Sequence, residues 1–295
     1  MQPSRRAFLL GRRPVQTPWA AFVQRLALVC QGQVRDLGEG GTQGASAILT
    51  PARESDVVQA RKLCAEYGVV LELEGAAGPF ASSARPRLRV DPLLLDGLTR
   101  LAGEPSTWRV QPGVRLADLT RAGLRQFADL PGEMTIAQWL AAPAPWSAGR
   151  CAASGLVAAD VLLADGVEES LGPFGEADVQ PLRSATVQRL VPTLFQLASG
   201  GDAFATRDGY HWLGRYRLDA LKPEAPATVN LAHLLLGHGG TLAWVQAVVL
   251  ADAPAWAETG PEPETPGLAT FRLDGKVKTQ FDPDGRFPSF VVQDV

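Results

Sequence analysis

A chain of 295 residues, 46% hydrophobic and 20% charged, can bury one large core or two smaller ones, which excludes a minimal scaffold or a solvated repeat. The net charge of -3 leaves no electrostatic footprint for nucleic acid. No window approaches the roughly 18 uninterrupted apolar residues of a spanning helix, so any membrane association is expected to be peripheral, through partners.

Cys30, Cys64 and Cys151 lack CxxC or Cys/His spacing and read as reduced thiols of a cytoplasmic protein, neither a disulfide framework nor a zinc site. Imidazole chemistry is confined to His211, His233 and His238, too few for a histidine-rich metal centre, and no metal is expected.

Residues 1–44 read as a basic arm and a helix. Ser4-Arg5-Arg6-Ala7-Phe8-Leu9 matches the twin-arginine export pattern, but Arg12, Arg13, Pro14, Pro18 and Arg25 interrupt the apolar segment that should follow, so a cytoplasmic location is expected over export. Trp19, Phe22, Val23, Leu26 and Val29 then suggest an amphipathic helix. A glycine-rich turn over 38–44 leads to a strand at Ala47–Thr50. Glu54, Ser55 and Asp56 open a helix with Val57, Ala60, Leu63 and Cys64 at helical spacing, Gly68 stops it, and Val69–Leu73 returns as a strand.

Glu74-Gly75-Ala76-Ala77-Gly78 follows as a loop whose backbone N–H groups can converge on a phosphate; a plain turn is the alternative. Arg87–Asp91 reads as a strand, Leu93–Leu101 as one short apolar element, and Trp108–Val114 as a strand broken at Pro-Gly before a helical face on Leu116, Leu119, Ala122 and Leu124. Thr135–Gly166 begins with a short Thr-Ile element, crosses a small-residue loop with Trp139 and Trp146, and ends in an apolar strand closing on Asp165-Gly166. Later, Ser184–Leu197 reads as a helix that Pro192 should end or kink, and Arg207–Trp212 as a polar-aromatic surface turn or a substrate-contacting cluster. Asn230–Leu242 carries a glycine-threonine segment leading into an alternating strand. Residues 251–270 read as a Pro/Glu/Gly-rich linker and 271–295 as a tail.

Four of these segments, in order, resemble the FAD-binding PCMH-type family of vanillyl-alcohol oxidase, the D-lactate dehydrogenases and the FAD subunit of glycolate oxidase. They are the strand-helix-strand unit with its glycine loop, Thr135-Ile136-Ala137-Gln138 where relatives have Thr-Ile-Gly-Gly, Asn230–Leu242 against D-L-x-x-L-x-x-G-S-x-G-T-L-G-I, and Lys276–Pro288 against K-x-x-F-D-P-x-G-x-F-N-P-G. The resemblance implies an α+β fold of two α+β subdomains, about 45–120 and 121–250, with the cap domain essentially absent. It implies FAD held noncovalently, since the glycine loop has no His or Cys, by Gly75, Ala76, Ala77, Gly78, Thr135, Ile136, Ala137, Gln138, Gly237, Gly240 and Thr241.

Gln138 either donates to a phosphate or occupies the ligand's space; Trp139 and Trp146 either stack on a flavin or pack in the core. Arg150 reads as a phosphate partner or a salt-bridged side chain, and His238, standing where relatives have Ser, as a functional or a structural histidine. Two functions follow. One is a flavoprotein subunit of a 2-hydroxy-acid oxidase or dehydrogenase complex, its substrate pocket completed by a protein partner. The other is a cofactor-free relative kept as an assembly or interaction subunit.

Overall fold

The computed structural model describes residues 16–38, 44–76, 78, 80–81, 84–103, 105–175, 181–256 and 264–291. The twin-arginine-like start, Ala77 and part of the first glycine-rich turn lie outside them.

Helix α1 (Pro18–Val29) starts on Thr17, whose hydroxyl accepts the Ala20 N–H, with Pro18 at the first helical position where its missing N–H costs nothing. It buries Trp19, Phe22 and Leu26. Strand β1 (Gln33–Gly38), which buries no residue and so leaves no alternating apolar signal in the sequence, pairs antiparallel with β2 (Ser46–Thr50). Helix α2 (Glu54–Tyr67) buries Val57, Ala60, Leu63 and Cys64 as its spacing predicts and ends at Gly68, φ +67. Asp56 does more than open the helix. Fully buried, its carboxylate accepts N–H groups from Gln31 (3.0 Å), Gly32 (2.9 Å) and Ala52 (3.0 Å), pinning the chain between α1 and β1 to the start of α2. Strands β3 (Val70–Leu73) and β4 (Arg87–Val90) complete a sheet of order β1-β2-β4-β3, with β4 parallel to both its neighbours.

The segment expected to be one element at Leu93–Leu101 is two: a 3-10 turn at Pro92–Leu94, started by the Asp91 side chain on the Leu93 N–H, and strand β5 (Leu98–Leu101). Strand β6 (Thr107–Val110), helix α3 (Leu116–Arg121) and helix α4 (Ile136–Ala141) follow, then strands β7 (Leu156–Leu163) and β8 (Glu168–Leu171). Helix α5 (Ala185–Ala198) runs through Pro192 without ending. Both Pro192 and Gln188, whose carbonyl loses its helical partner, face solvent, so water satisfies the freed group and no buried acceptor is orphaned. After α6 (Gly201–Thr206), the polar-aromatic cluster forms a two-stranded hairpin, β9 (Arg207–Asp208) with β10 (His211–Trp212).

Strand β11 (Ala243–Ala251) is the middle of an antiparallel sheet of order β5-β6-β11-β7-β8. Along β7, Val161 and Leu163 enter the larger core while Leu162 and the following Ala164 enter the smaller one, and on β11 Trp244 does likewise. A sheet covered on both faces reads as a nearly continuous apolar run, which is why this strand is legible in the sequence although Asp160 interrupts it.

Helix α7 (Leu268–Phe281) corrects the linker and tail expectation: the last three residues of the supposed linker and the first half of the tail are helical. Thr270, Leu273, Val277 and Phe281 are buried at helical spacing. Gly275 and the Pro/Glu-rich lead-in hide that periodicity from a sequence reading. The chain is thus α+β, two larger sheets with separate cores that meet along β7, β11 and α4, beside the small β9-β10 hairpin.

Candidate functional site: the cleft between the two sheets

The segments singled out in the sequence converge where the cores meet. The Glu74–Gly78 loop leaves the end of β3, the glycine-threonine segment precedes β11, and α4 lies between. Thr135-Ile136-Ala137-Gln138 is not a loop but the first turn of α4, closed by a reciprocal cap. The Thr135 hydroxyl accepts the Gln138 N–H (3.3 Å) and the Gln138 side-chain oxygen accepts the Thr135 N–H (3.0 Å). A glutamine three residues after threonine is the signature of this cap, so the segment that resembles a Thr-Ile-Gly-Gly loop is here a capped helix start.

The faces of α4 are divided between the cores. Ile136, Trp139 and Leu140 enter the larger and Ala137 with Ala141, one turn apart, enters the smaller. Ala137 lines, with Leu71, Leu73, His238, Gly240 and Trp244, a void of only about 10 Å³, room for no more than a single water.

Each glycine expected to lie against a ligand is approached by the chain itself. Gln138 lies against Gly75 (φ +76), where a Cβ would overlap its side-chain nitrogen, and donates to the Glu74 carbonyl (3.4 Å). A Cβ on Gly78 would lie 2.7 Å from the Phe290 ring, and one on Gly239 (φ +67) would overlap the same ring and approach the Arg215 guanidinium at 2.8 Å. Gly240 (φ +70) faces Leu73, and Gly237 (φ +82) faces the Ala144 backbone and the Arg215 carbonyl. Phe290 stacks on Phe80 with ring centres 5.1 Å apart and forms an antiparallel bridge with it, while Ala81 N–H donates to the Ser289 carbonyl (2.7 Å). Arg215 lies 4.2 Å over the other side of the arrangement, against the Phe290 ring, and donates to the Ala141 carbonyl (3.1 Å).

The remaining candidates are similarly engaged. Thr241 is fully buried; its hydroxyl donates to the His238 carbonyl and shares a hydrogen bond with the Tyr216 hydroxyl (2.8 Å). His238 is 2% exposed, its Nδ1 has no partner, and burial, reinforced by the charges of Arg215 and Lys278, lowers its pKa to about 3. Trp139 and Trp146 meet edge to face in the larger core, 5.8 Å apart. Arg150 pairs with Glu224 at 3.3 Å on the surface. The three cysteines are free and buried. Among the described residues no His/Cys/Asp/Glu group could hold a metal, and no helix is long and apolar enough to cross a membrane.

As placed, the side chains against the glycine segments leave no room for an FAD there. A dinucleotide needs several hundred Å³ of cleft, and the space between the glycine segments is taken by Gln138, Phe290 and Arg215. Sequence reasoning missed Phe290 and Arg215. The signal available for Phe290 was the bulky residue standing just past Phe287-Pro288, where the family motif closes on glycine. Arg215 carried none. On the far side of Phe290, between α7 and the segment 212–217, lies a larger cavity of about 540 Å³.

No family model matches the chain, and no curated protein matches it. Solved structures that align with it include a 4-ethylphenol oxidase from Gulosibacter chungangensis at 12% identity, over 80% of this chain and 43% of that one, with a TM-score of 0.47. An alkyldihydroxyacetonephosphate synthase aligns at 16% identity over 78% of this chain and 40% of that one, TM-score 0.44. A solvent-stable cholesterol oxidase aligns at 14% over 76% and 38%, TM-score 0.42. The chain spans about two fifths of the length of each of these structures. Likeness at this level assigns no chemistry.

Proposed function

We propose that the chain is a cofactor-free relative of the flavin-dependent hydroxy-acid oxidases, serving as an assembly or interaction subunit beside a protein partner. The observation that carries this reading is the occupation of the cleft: every glycine that would let a dinucleotide approach is approached by the chain's own atoms. The same contacts tie the Glu74 and Gly78 region to the start of α4 and to the chain around Phe290. Absorption of the purified protein, before and after incubation with FAD, tests the reading. A protein with no bands near about 370 and 450 nm that takes up no FAD agrees with it. Stoichiometric flavin retained through gel filtration refutes it.

A second reading, an FAD-binding subunit of a 2-hydroxy-acid oxidase or dehydrogenase complex, is favoured by one observation. The glycine loop, the Thr135 cap and the glycine-threonine segment all meet at a single cleft, as the resemblance implies for a flavin site. That reading requires Phe290 to leave its place between Gly78 and Gly239. Flavin uptake that appears only with a co-purified partner subunit would support it.

A further inference from the structure

The cavity of about 540 Å³ falls in the range of small-molecule sites, and its walls are of mixed character. Trp212, Phe271 and Phe290 give it aromatic faces. Three cations line it, but two are matched: Arg217 by Asp219 and Lys278 by Asp282. Arg215 is different. It has no ion pair among the described residues, its Nε is buried without a hydrogen-bond partner, and burial lowers its pKa against the opposing pull of Tyr216 and Asp274. A guanidinium held this way is short of an acceptor.

Gly275 supplies an independent observation. It sits in the interior of α7 and lines the cavity, and a Cβ there would meet nothing within 4 Å. Glycine destabilises a helix interior relative to alanine, and here neither a positive φ nor a close neighbour requires it. A side chain at this position would enter space that is open beside the cavity wall.

We propose that this cavity is a binding site for a planar aromatic monoanion, its ring packed among Trp212, Phe271 and Phe290 and its anionic group within reach of Arg215. A single negative charge is specified because Asp274, which accepts the Arg215 and Tyr216 backbone N–H groups (3.0 and 3.3 Å), stands in the same wall and would repel a second. The cavity shares Phe290 and Arg215 with the filled cleft, so the proposal rests on the reading in which that cleft stays filled; because the titration is read by heat and not by visible absorption, its failure is distinguishable from a positive flavin test.

Calorimetric titration with indole-3-acetate, and with neutral indole as its uncharged counterpart, tests it. Saturable one-to-one binding of indole-3-acetate, about tenfold or more tighter than indole, is expected from a charge-assisted contact. Arg215→Gln should bring the two probes to equal affinity. Gly275→Leu should abolish binding of both while the melting temperature holds or rises, which separates a blocked site from a misfolded chain. Absence of saturable binding to the wild-type protein overturns the proposal. So does equal affinity for the two probes, or a Gly275→Leu variant that binds like wild type.

Discussion

Replacing Lys278 by Met removes one charge while keeping the aliphatic stem, and the consequence can be worked from its partners. The Lys278 ammonium donates to the Thr241 carbonyl (2.7 Å), the Phe287 carbonyl (3.3 Å) and the Asp282 carboxylate, joining the glycine-threonine segment to α7 and to the chain beyond it. Asp282 has a side chain with no exposure and accepts the Arg286 and Phe287 N–H groups at 2.7 and 2.8 Å. Without Lys278 that carboxylate keeps two neutral donors and loses its countercharge. Breaking a buried pair from one side costs about 3–5 kcal/mol. At about 2–4 °C per kcal/mol for a chain of this size, Lys278→Met should melt roughly 6–20 °C below wild type. Urea unfolding at neutral pH measures the free energy directly. Adding Asp282→Asn should recover part of the loss, giving a coupling of about 1 kcal/mol or more in a double-mutant cycle. A single-variant cost below about 1 kcal/mol, or strict additivity, would refute the network as described.

Asp56→Ala, which orphans three backbone N–H groups, should lower stability by roughly 2–4 kcal/mol in the same urea experiment, with the loss concentrated in α1 and β1 by hydrogen exchange. The buried histidines predict an acid limb. Burial lowers His233 to about 4 and His238 to about 3, so below the unfolded value of about 6.5 the unfolded chain binds protons the folded one refuses, and stability falls as pH drops through that window toward 4. Burial raises Asp274 to about 6, which acts in the opposite sense: its contribution is present below its unfolded value near about 3.9 and lost as pH rises through 6. Melting curves between pH 4 and pH 7 should therefore be shallower for His238→Asn than for wild type and steeper for Asp274→Asn. Phe290→Gly and Gln138→Ala combined with Arg215→Ala clear the three side chains that face Gly75, Gly78 and Gly239; this triple variant should retain FAD that the wild type does not, read by the flavin band after gel filtration.

The motif K-x-x-F-D-P-x-G-x-F illustrates how a sequence pattern can be legible before its cause is. Its Lys, first Phe, Asp and last Phe are Lys278, Phe281, Asp282 and Phe287, and the structure shows them to be a helix end, a core anchor and a buried ion pair. Gly75, Gly78, Gly237 and Gly240 were equally visible as points of close approach, and each has atoms of the chain itself against it. What approaches them was not visible. Gln138 reads locally as a polar residue in a damaged glycine loop, although its position three after Thr135 is also that of a capping residue.

By itself, then, the sequence determined the features set by neighbours within a few residues: α2 with its Gly68 stop, the largely apolar run of β7, the positions of the glycines, and the lack of metal-ligand and disulfide spacing. It also placed four family-like segments in order. Only the tertiary structure decided what fills the cleft, because Phe290 reaches Gly78 and Gly239 and Arg215 reaches Ala141 across long stretches of chain. Tertiary packing likewise decided that α7 is a helix despite Gly275 and its proline-rich approach, since Leu273, Val277 and Phe281 are held by the core they enter and not by local propensity.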